Sequence, residues 1–215
     1  MNLIISKPSI EQITFYLKQW ESLEKYQGHE KSLHRLFHQY CLKNVDLEDI
    51  HLKVSVLNDL YSTNIFDTLS VAKHIQALKI DDRLKLRDLS LVDEIATVST
   101  NNRVIRNYSF ATKYCSHHYS DTYPIFDNYV SKILLHFSKT DKFDKFSKDD
   151  LRNYERFVEI IYKFREFYQL ENYSIREIDI YLWLLGKEKF PNNYIRKNKN
   201  IKGIPKLLYQ MPSQI

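Results

Sequence analysis

Asp127 is the residue whose type and setting most directly suggest chemistry. It lies in SHHYSDTYPIFDNYV, residues 116–130, three residues after Pro124 and just before an apolar-periodic run. Pro124 suits the first turn of a helix, so we expect a helix to begin there and Asp127 to lie in or just past that turn. A carboxylate is favourable at that place because free N–H groups and the helix dipole attract an anion. A fixed carboxylate can also stabilise a cation that develops on a substrate, so a helix cap and a catalytic group both stay open.

Other reactive side chains have weaker patterns. The potential metal ligands form two clusters, which are His34, His38 and Cys41, and Cys115, His117 and His118. The first cluster lacks the glutamate of a metalloprotease helix, and the second has no partner pair at zinc spacing. Cys115 and His117 are two residues apart and would point to different sides of a helix, which is poor geometry for a nucleophile and its base. We therefore expect no metal and no cofactor.

The elements that must position Asp127 are predicted to be helices. The 215 residues include only 3 Gly and 5 Pro, and apolar residues recur at helical spacing with short polar breaks. This pattern predicts a compact all-α fold over residues 1–186, in two packed sub-domains with a polar connection near residues 138–150. Gly28 is expected to end the first helix, and Gly186 the last.

The net charge is concentrated at one end. Residues 187–215 hold seven Lys/Arg and one acid, so their net charge is +6. The whole chain has a net charge of +5, so residues 1–186 have a net charge of −1. This basic tail is either a solvated end or a segment that follows a phosphate backbone, with Arg196, Lys197 and Lys199 as expected DNA contacts. The N-terminus has no long apolar segment and no run of residues could span a membrane, so we expect a cytoplasmic protein.

Several segments together resemble the helix-hairpin-helix DNA glycosylase superfamily. YPIFDNYVSKIL is similar to the segment that delivers that family's catalytic aspartate, and FATKYC to the helix before it. SVLNDLYSTNIFDTLSVAKHI, LVDEIATV and SIREIDIYLWLLGK resemble other helices of the superfamily more loosely. The resemblance implies a helix-hairpin-helix glycosylase-like fold that acts on DNA, with Asp127 as the catalytic carboxylate. Asn58, Tyr61 and Asn64 would line the pocket for the base.

The chain also departs from that superfamily. The hairpin stretch TNNRVIRNYS has no glycine, so Arg103 and Arg106 are expected to contact phosphate in place of a bound cation. The lysine nucleophile of bifunctional members falls near Ser109, and Lys113 lies one turn along, where we also expect a DNA contact. The resemblance therefore implies a monofunctional N-glycosylase that removes a modified base.

Two other functions remain open from the residues alone. The same helical scaffold could bind nucleic acid or a protein without chemistry, or it could be an interaction protein in which Asp127 is only a cap. Trp183 has the spacing of a core residue, and Arg176, Glu177 and Asp179 that of a solvated or ion-paired face, although Asp179 could abut the pocket.

Overall fold

Apolar residues at helical spacing and few glycines favour short helices in this chain. The computed structural model describes residues 5–100 and 103–191. These residues form ten α-helices and one two-stranded hairpin, which confirms the all-α class. The buried apolar side chains of these residues make one continuous cluster, which runs from Ile13 to Leu185.

The helices and strands follow one another with short connections. The first six helices are α1 Ile10–Glu21, α2 Glu24–Arg35, α3 Leu47–Tyr61, α4 Thr68–Leu78, α5 Asp81–Lys85 and α6 Ser90–Ala96. A π-helical turn, Leu36–Tyr40, extends α2. The hairpin is β1 Thr97–Thr100 and β2 Arg103–Arg106, paired antiparallel. The last four helices are α7 Tyr108–His118, α8 Asn128–Thr140, α9 Tyr154–Phe167 and α10 Ile175–Lys189. A 3-10 turn, Asp150–Arg152, precedes α9.

Helix α10 holds the N-terminal and C-terminal parts of the fold together, because it packs against both α1 and α8. It begins with a capping box in which Ser174 and Glu177 satisfy each other's backbone N–H groups. Gly186 lies at the crossing with α8. A Cβ atom on Gly186 would lie 2.7 Å from Tyr129 Cβ and 2.8 Å from its carbonyl oxygen, so only glycine permits this approach.

Three expected helix ends are wrong. Gly28 lies inside α2, where a Cβ would meet nothing within 4 Å, so the helix continues through it. Gly186 is inside α10, where it serves packing instead of helix termination. Helix α8 begins at Asn128, four residues after Pro124, because Asp127 provides the cap and residues 124–127 are held extended.

The polar stretch STNNR, residues 99–103, falls in the two-stranded hairpin, in which β1 ends at Thr100 and β2 begins at Arg103. Thr97 pairs with Arg106 and Val98 with Ile105, and β-branched side chains favour this extended pairing. No helix among the described residues has the length and apolar character needed to cross a membrane. The division into two sub-domains stays a prediction.

Candidate active site

A cavity of about 60 Å³ opens beside the start of α8. That volume holds roughly four to six water molecules at ~10–15 Å³ each, which is room for one flat ring system. The apolar and aromatic residues that line the cavity are Trp20, Tyr26, Leu60, Ile125, Val130, Ile180 and Trp183. Its polar lining residues are His29, Glu30, Tyr61, Lys113, Asp127, Arg176 and Asp179. Both groups come from segments far apart in the chain.

The extended segment that carries Asp127, residues 124–127, is called here the strap. Its first peptide groups are fixed by two neighbours, because Tyr154 Oη donates to the Pro124 carbonyl at 3.0 Å and Ile125 N donates to an oxygen of Asp179 at 2.8 Å. Helix α7 holds the next residue, since Phe126 N donates to a threonine hydroxyl of α7 at 3.2 Å and a serine hydroxyl of α7 donates to its carbonyl at 2.9 Å. These four hydrogen bonds give the strap one position.

The Asp127 side chain caps α8 and faces the cavity at the same time. Its Oδ1 accepts hydrogen bonds from Tyr129 N and Val130 N, both at 2.8 Å. The residue is only 5% exposed. Burial raises the pKa of this carboxyl, while the Lys113 ammonium and the two N–H donors oppose the rise. The carboxyl is therefore more basic than a surface aspartate, although it keeps the hydrogen bonds of a cap.

Lys113 lines the cavity and is buried. It is 3% exposed, and its Nζ donates to Ser109 Oγ. Burial lowers its pKa to about 8, against the attraction of Asp127 and Asp179. The DNA contact expected of Lys113 stays a prediction, and such a contact would have to be made inside the cavity. Lys113 does reach the side chain of Ser109, where the resemblance placed the lysine of bifunctional glycosylases.

Tyr61 lines the cavity as the sequence predicted. Its hydroxyl shares a hydrogen bond of 3.0 Å with His117 Nε2, and its ring lies 5.3 Å from Lys113 Nζ. Burial lowers the pKa of His117 to about 3, so this imidazole is neutral near pH 7. The neutral imidazole of His117, in the last turn of α7, and the Tyr61 hydroxyl therefore fix each other's orientation.

The other two expected pocket residues lie outside the cavity lining. Asn58 holds the loop after α3, because its Oδ1 accepts from Thr63 Oγ1 at 2.8 Å and from Ile65 N at 2.9 Å, and its Nδ2 donates to the Ile65 carbonyl at 3.1 Å. Asn64 has a left-handed backbone with φ of 59°, which its type tolerates. Both residues shape a loop, and the expectation that they line the pocket is wrong.

The expected phosphate contacts lie apart from the cavity. Arg103 and Arg106 are exposed on β2. The Arg106 guanidinium already donates to Asp93 and, at 2.8 Å, to the Arg152 carbonyl, so a phosphate would have to compete for it. The tail contacts Arg196, Lys197 and Lys199 lie outside the described residues.

The clusters of His and Cys do not build a reactive site in the part of the chain that the structure describes. No three His, Cys, Asp or Glu side chains come together there in a way that could hold a metal ion. Cys115 is fully buried, and burial raises the pKa of its thiol, which makes it a poor nucleophile.

The sequence did not predict the aromatic wall of the cavity, which consists of Trp20, Tyr26 and Trp183, and it suggested only that Asp179 could lie next to the pocket. Trp20 and Tyr26 were not singled out, and Trp183, expected in the core, packs against the core and also lines the cavity. A usable signal was present, because Asp179 interrupts an apolar run between two isoleucines. Arg176, Asp179 and Trp183 also share one helical face.

Comparison with known proteins places the chain in a family. Residues 12–122, just over half of the chain, match the model of the N-terminal domain HI_0787_N. An uncharacterized protein of Haemophilus influenzae is 44% identical over 155 residues, which cover 72% of this chain and 74% of that protein. The chain belongs to the HI_0787_N family. No solved structure matches it.

The HI_0787_N domain match covers only part of the site. The matched residues 12–122 include Trp20, Tyr26, Tyr61 and Lys113, and they end just before the strap. Asp127 and the residues of α10 follow the match. In this HI_0787_N protein the cavity is therefore completed by the segment that comes after the matched domain.

Proposed function

We propose that this protein is a DNA-acting N-glycosylase that removes a modified base, with Asp127 as the catalytic carboxylate. The observation that carries the proposal is the burial of Asp127 and Lys113 together in one cavity that has an aromatic wall. Buried titratable groups with shifted pKa values, gathered in a cavity, are typical of catalytic sites.

Asp127 can stabilise the charge that base removal creates. Cleavage of an N-glycosidic bond builds positive charge on the sugar, and a fixed carboxylate beside C1′ lowers the energy of that state. Both backbone hydrogen bonds end on Oδ1, so helix capping leaves Oδ2 for the substrate. The strap prevents the carboxylate from moving away as charge develops.

Lys113 can supply the nucleophile. Its pKa of about 8 leaves a useful fraction of neutral amine near neutral pH. The amine nitrogen would attack C1′ while the C1′–N bond breaks, and the base would leave with the electron pair and take up a proton. Asp127 would accept the proton that the ammonium at C1′ then loses. Without attack by Lys113, Asp127 could activate a water molecule for the same displacement, which is the monofunctional route.

The aromatic wall can receive a base that has left the DNA stack. Trp20 and Tyr26 lie nearly parallel, with ring centroids 5.8 Å apart, and Trp183 stands perpendicular to Trp20 at 6.1 Å. Enzymes that act on a base flip it out and bind it between aromatic or apolar side chains. Asp127 and Lys113 line the same cavity, so a sugar attached to that base would lie within reach of them.

Release of free base from DNA tests this function. DNA from cells and from phages that carry modified bases would be incubated with the protein, and released bases would be measured by mass spectrometry. Release of a defined base supports the proposal. Absence of release from every DNA contradicts it.

A non-catalytic binding module on the same scaffold is the second candidate. The observation that favours it is that Asp127 and Lys113 each have a structural partner, the α8 N-terminus and Ser109. This candidate predicts DNA binding that weakens steeply with salt and no released base.

A further inference from the structure

Asp179 is a buried carboxyl group that the proposed chemistry does not use. It is 3% exposed and lines the cavity from helix α10. Its Oδ2 accepts from Ile125 N at 2.8 Å, whereas its Oδ1 is buried and has no hydrogen-bond partner among the described residues. An unpaired buried polar atom costs free energy, so such an atom in a cavity indicates a ligand that satisfies it.

The surroundings of Asp179 determine which of its two oxygens carries the proton of the carboxyl group. Burial raises the pKa of its carboxyl to about 8, so the group is mostly protonated at pH 7. Because Oδ2 accepts from an N–H, the proton belongs on Oδ1, which becomes a donor. The charged and titratable groups that face Asp179 are Arg176 on its own helix, Lys113 on α7, Asp127 before α8, Tyr61 on α3 and Tyr154 on α9.

Two cations of the protein lie close to the aromatic rings of the cavity. Lys187 Nζ lies 4.6 Å from the Trp183 ring centroid and 4.8 Å from that of Tyr26. The Arg176 guanidinium lies 6.0 Å from the Trp20 ring centroid and is paired with Glu30 at 2.6 Å. A cationic ring in the cavity would meet these charges as well as the Lys113 ammonium, and repulsion of like charges in a desolvated site is costly.

We infer that Asp179, as a neutral carboxylic acid, donates a hydrogen bond from Oδ1 to an acceptor on an uncharged planar heterocycle held against Trp20 and Trp183. The cavity therefore selects neutral bases with a carbonyl oxygen or an unprotonated ring nitrogen on that edge, and it rejects cationic alkylated bases. This inference deepens the proposed function and rests on it for the identification of the ring as a base.

Tryptophan fluorescence measures the selection directly. The sequence has only two tryptophans, Trp20 and Trp183, and both line the cavity. Deoxyinosine, which is neutral, and 1-methyldeoxyadenosine, which carries a positive ring, are matched purine probes for titration at pH 6.5. We expect saturable quenching by deoxyinosine at concentrations at least about tenfold lower than for 1-methyldeoxyadenosine, a difference of 1.4 kcal/mol. Equal or tighter binding of the cationic probe, or no quenching by deoxyinosine, would overturn the inference.

The variant Asp179→Asn separates the hydrogen-bond donor at position 179 from the titration of the carboxyl group. The amide oxygen can accept from Ile125 N and the amide NH₂ can donate to the ligand, so the variant reproduces the protonated acid without its titration. The probe for the pH series is deoxyadenosine, which also has unprotonated ring nitrogens and, unlike deoxyinosine, does not lose a ring proton as the pH approaches 9. For the wild type, a pKa of about 8 predicts that deoxyadenosine affinity falls about tenfold from pH 7 to pH 9. For Asp179→Asn we expect constant affinity over this range.

Lys113→Met serves as the control, because Lys113 also titrates near pH 8. The loss of affinity with rising pH should persist in Lys113→Met. Its midpoint should move to a higher pH, because without the Lys113 ammonium the Asp179 carboxylate is less stable and the pKa of Asp179 rises. The inference is wrong if Asp179→Asn loses affinity with pH as the wild type does, or if it binds deoxyinosine tenfold more weakly at pH 6.5. These titrations need neither DNA nor turnover, so failure of the glycosylase function would be seen separately, as absence of base release.

Discussion

At the scale of single residues, the site depends on three buried groups whose pKa values move toward neutrality. Burial raises the pKa of Asp127 and Asp179 and lowers that of Lys113. Each group also has a structural contact, with the α8 N-terminus, the strap or Ser109. The same contacts that fold the strap therefore hold the groups that could react.

The role of Lys113 can be tested by chemical trapping. If its amine attacks C1′, the sugar ring can then open as the C1′–O4′ bond breaks, O4′ takes up a proton, and an imine forms between Lys113 and C1′. Borohydride should reduce that imine and leave the protein covalently bound to DNA from which it releases base. We expect this adduct with the wild type and with Lys73→Met, an exposed control on α4, but not with Lys113→Met. An adduct that persists in Lys113→Met would exclude this lysine, and base release without any adduct would favour attack by water.

The pKa of Asp179 predicts how stability changes with pH. The pKa is about 8 in the folded protein and 3.8 for an aspartate in water, as in the unfolded chain, so the protonated acid favours the folded state. This contribution is complete below pH 3.8 and is lost as the pH rises toward 8, since the unfolded state then binds fewer protons. Asp179→Asn does not titrate, so its melting temperature relative to wild type should increase between pH 5 and pH 8. A difference that stays constant over this range would contradict the burial of a raised-pKa acid.

At the scale of elements, the helices were predictable and the close contacts between them were not. Apolar spacing predicted most helices, because a buried helical face leaves a period in the sequence. Gly28 and Gly186 were both read as helix ends, yet one is an exposed interior position and the other a contact point with α8. Local sequence cannot separate these cases, since the difference lies in what packs against the glycine. For the same reason Pro124 did not reveal the extended strap.

These two glycines form a matched pair for experiment. Gly186→Ala would place a Cβ against the Tyr129 backbone, and we expect it to lower the free energy of unfolding by roughly 1–3 kcal/mol. Gly28→Ala meets nothing and gains helix propensity, so we expect a rise of about 0.5–1 kcal/mol. Urea denaturation measures both changes. The described packing of α10 on α8 would be wrong if the two variants changed stability in the same direction by similar amounts.

At the scale of the whole molecule, the cavity is assembled from α1, α2, α3, α7, the strap, α8 and α10. The sequence singled out Asp127 from its local setting, and Tyr61 only through the resemblance to the glycosylase superfamily. It could not place Trp20 or Tyr26 beside them, because the first helix meets α10 only through long-range packing. The basic tail adds charge at the end of α10, whose last turn contains Lys187 and Lys189.

Removal of the tail tests whether the protein uses it to bind DNA. Residues 192–215 hold five Lys/Arg and no acid. If these cations contact phosphates, a chain that ends at residue 191 should bind DNA more weakly. Its slope of log affinity against log salt should be smaller by up to about 4.5 units, at ~0.9 per phosphate contact. A full-length variant with the five cations changed to Gln should behave as the deletion does. Unchanged affinity and slope in both chains would exclude the tail as a DNA contact.

The central claim is that Asp127 performs chemistry in addition to capping α8, and the chain offers a matched control for it. Asp67 caps α4 through a hydrogen bond of 3.0 Å from Ser70 N, but its side chain is exposed and lies outside the cavity lining. The measurement is base release from modified DNA by the wild type, Asp127→Asn and Asp67→Asn, with thermal melts of all three. We predict that the three chains stay folded, that wild type and Asp67→Asn release the same base, and that Asp127→Asn releases none. Full release by a folded Asp127→Asn would contradict the account and reduce Asp127 to a helix cap.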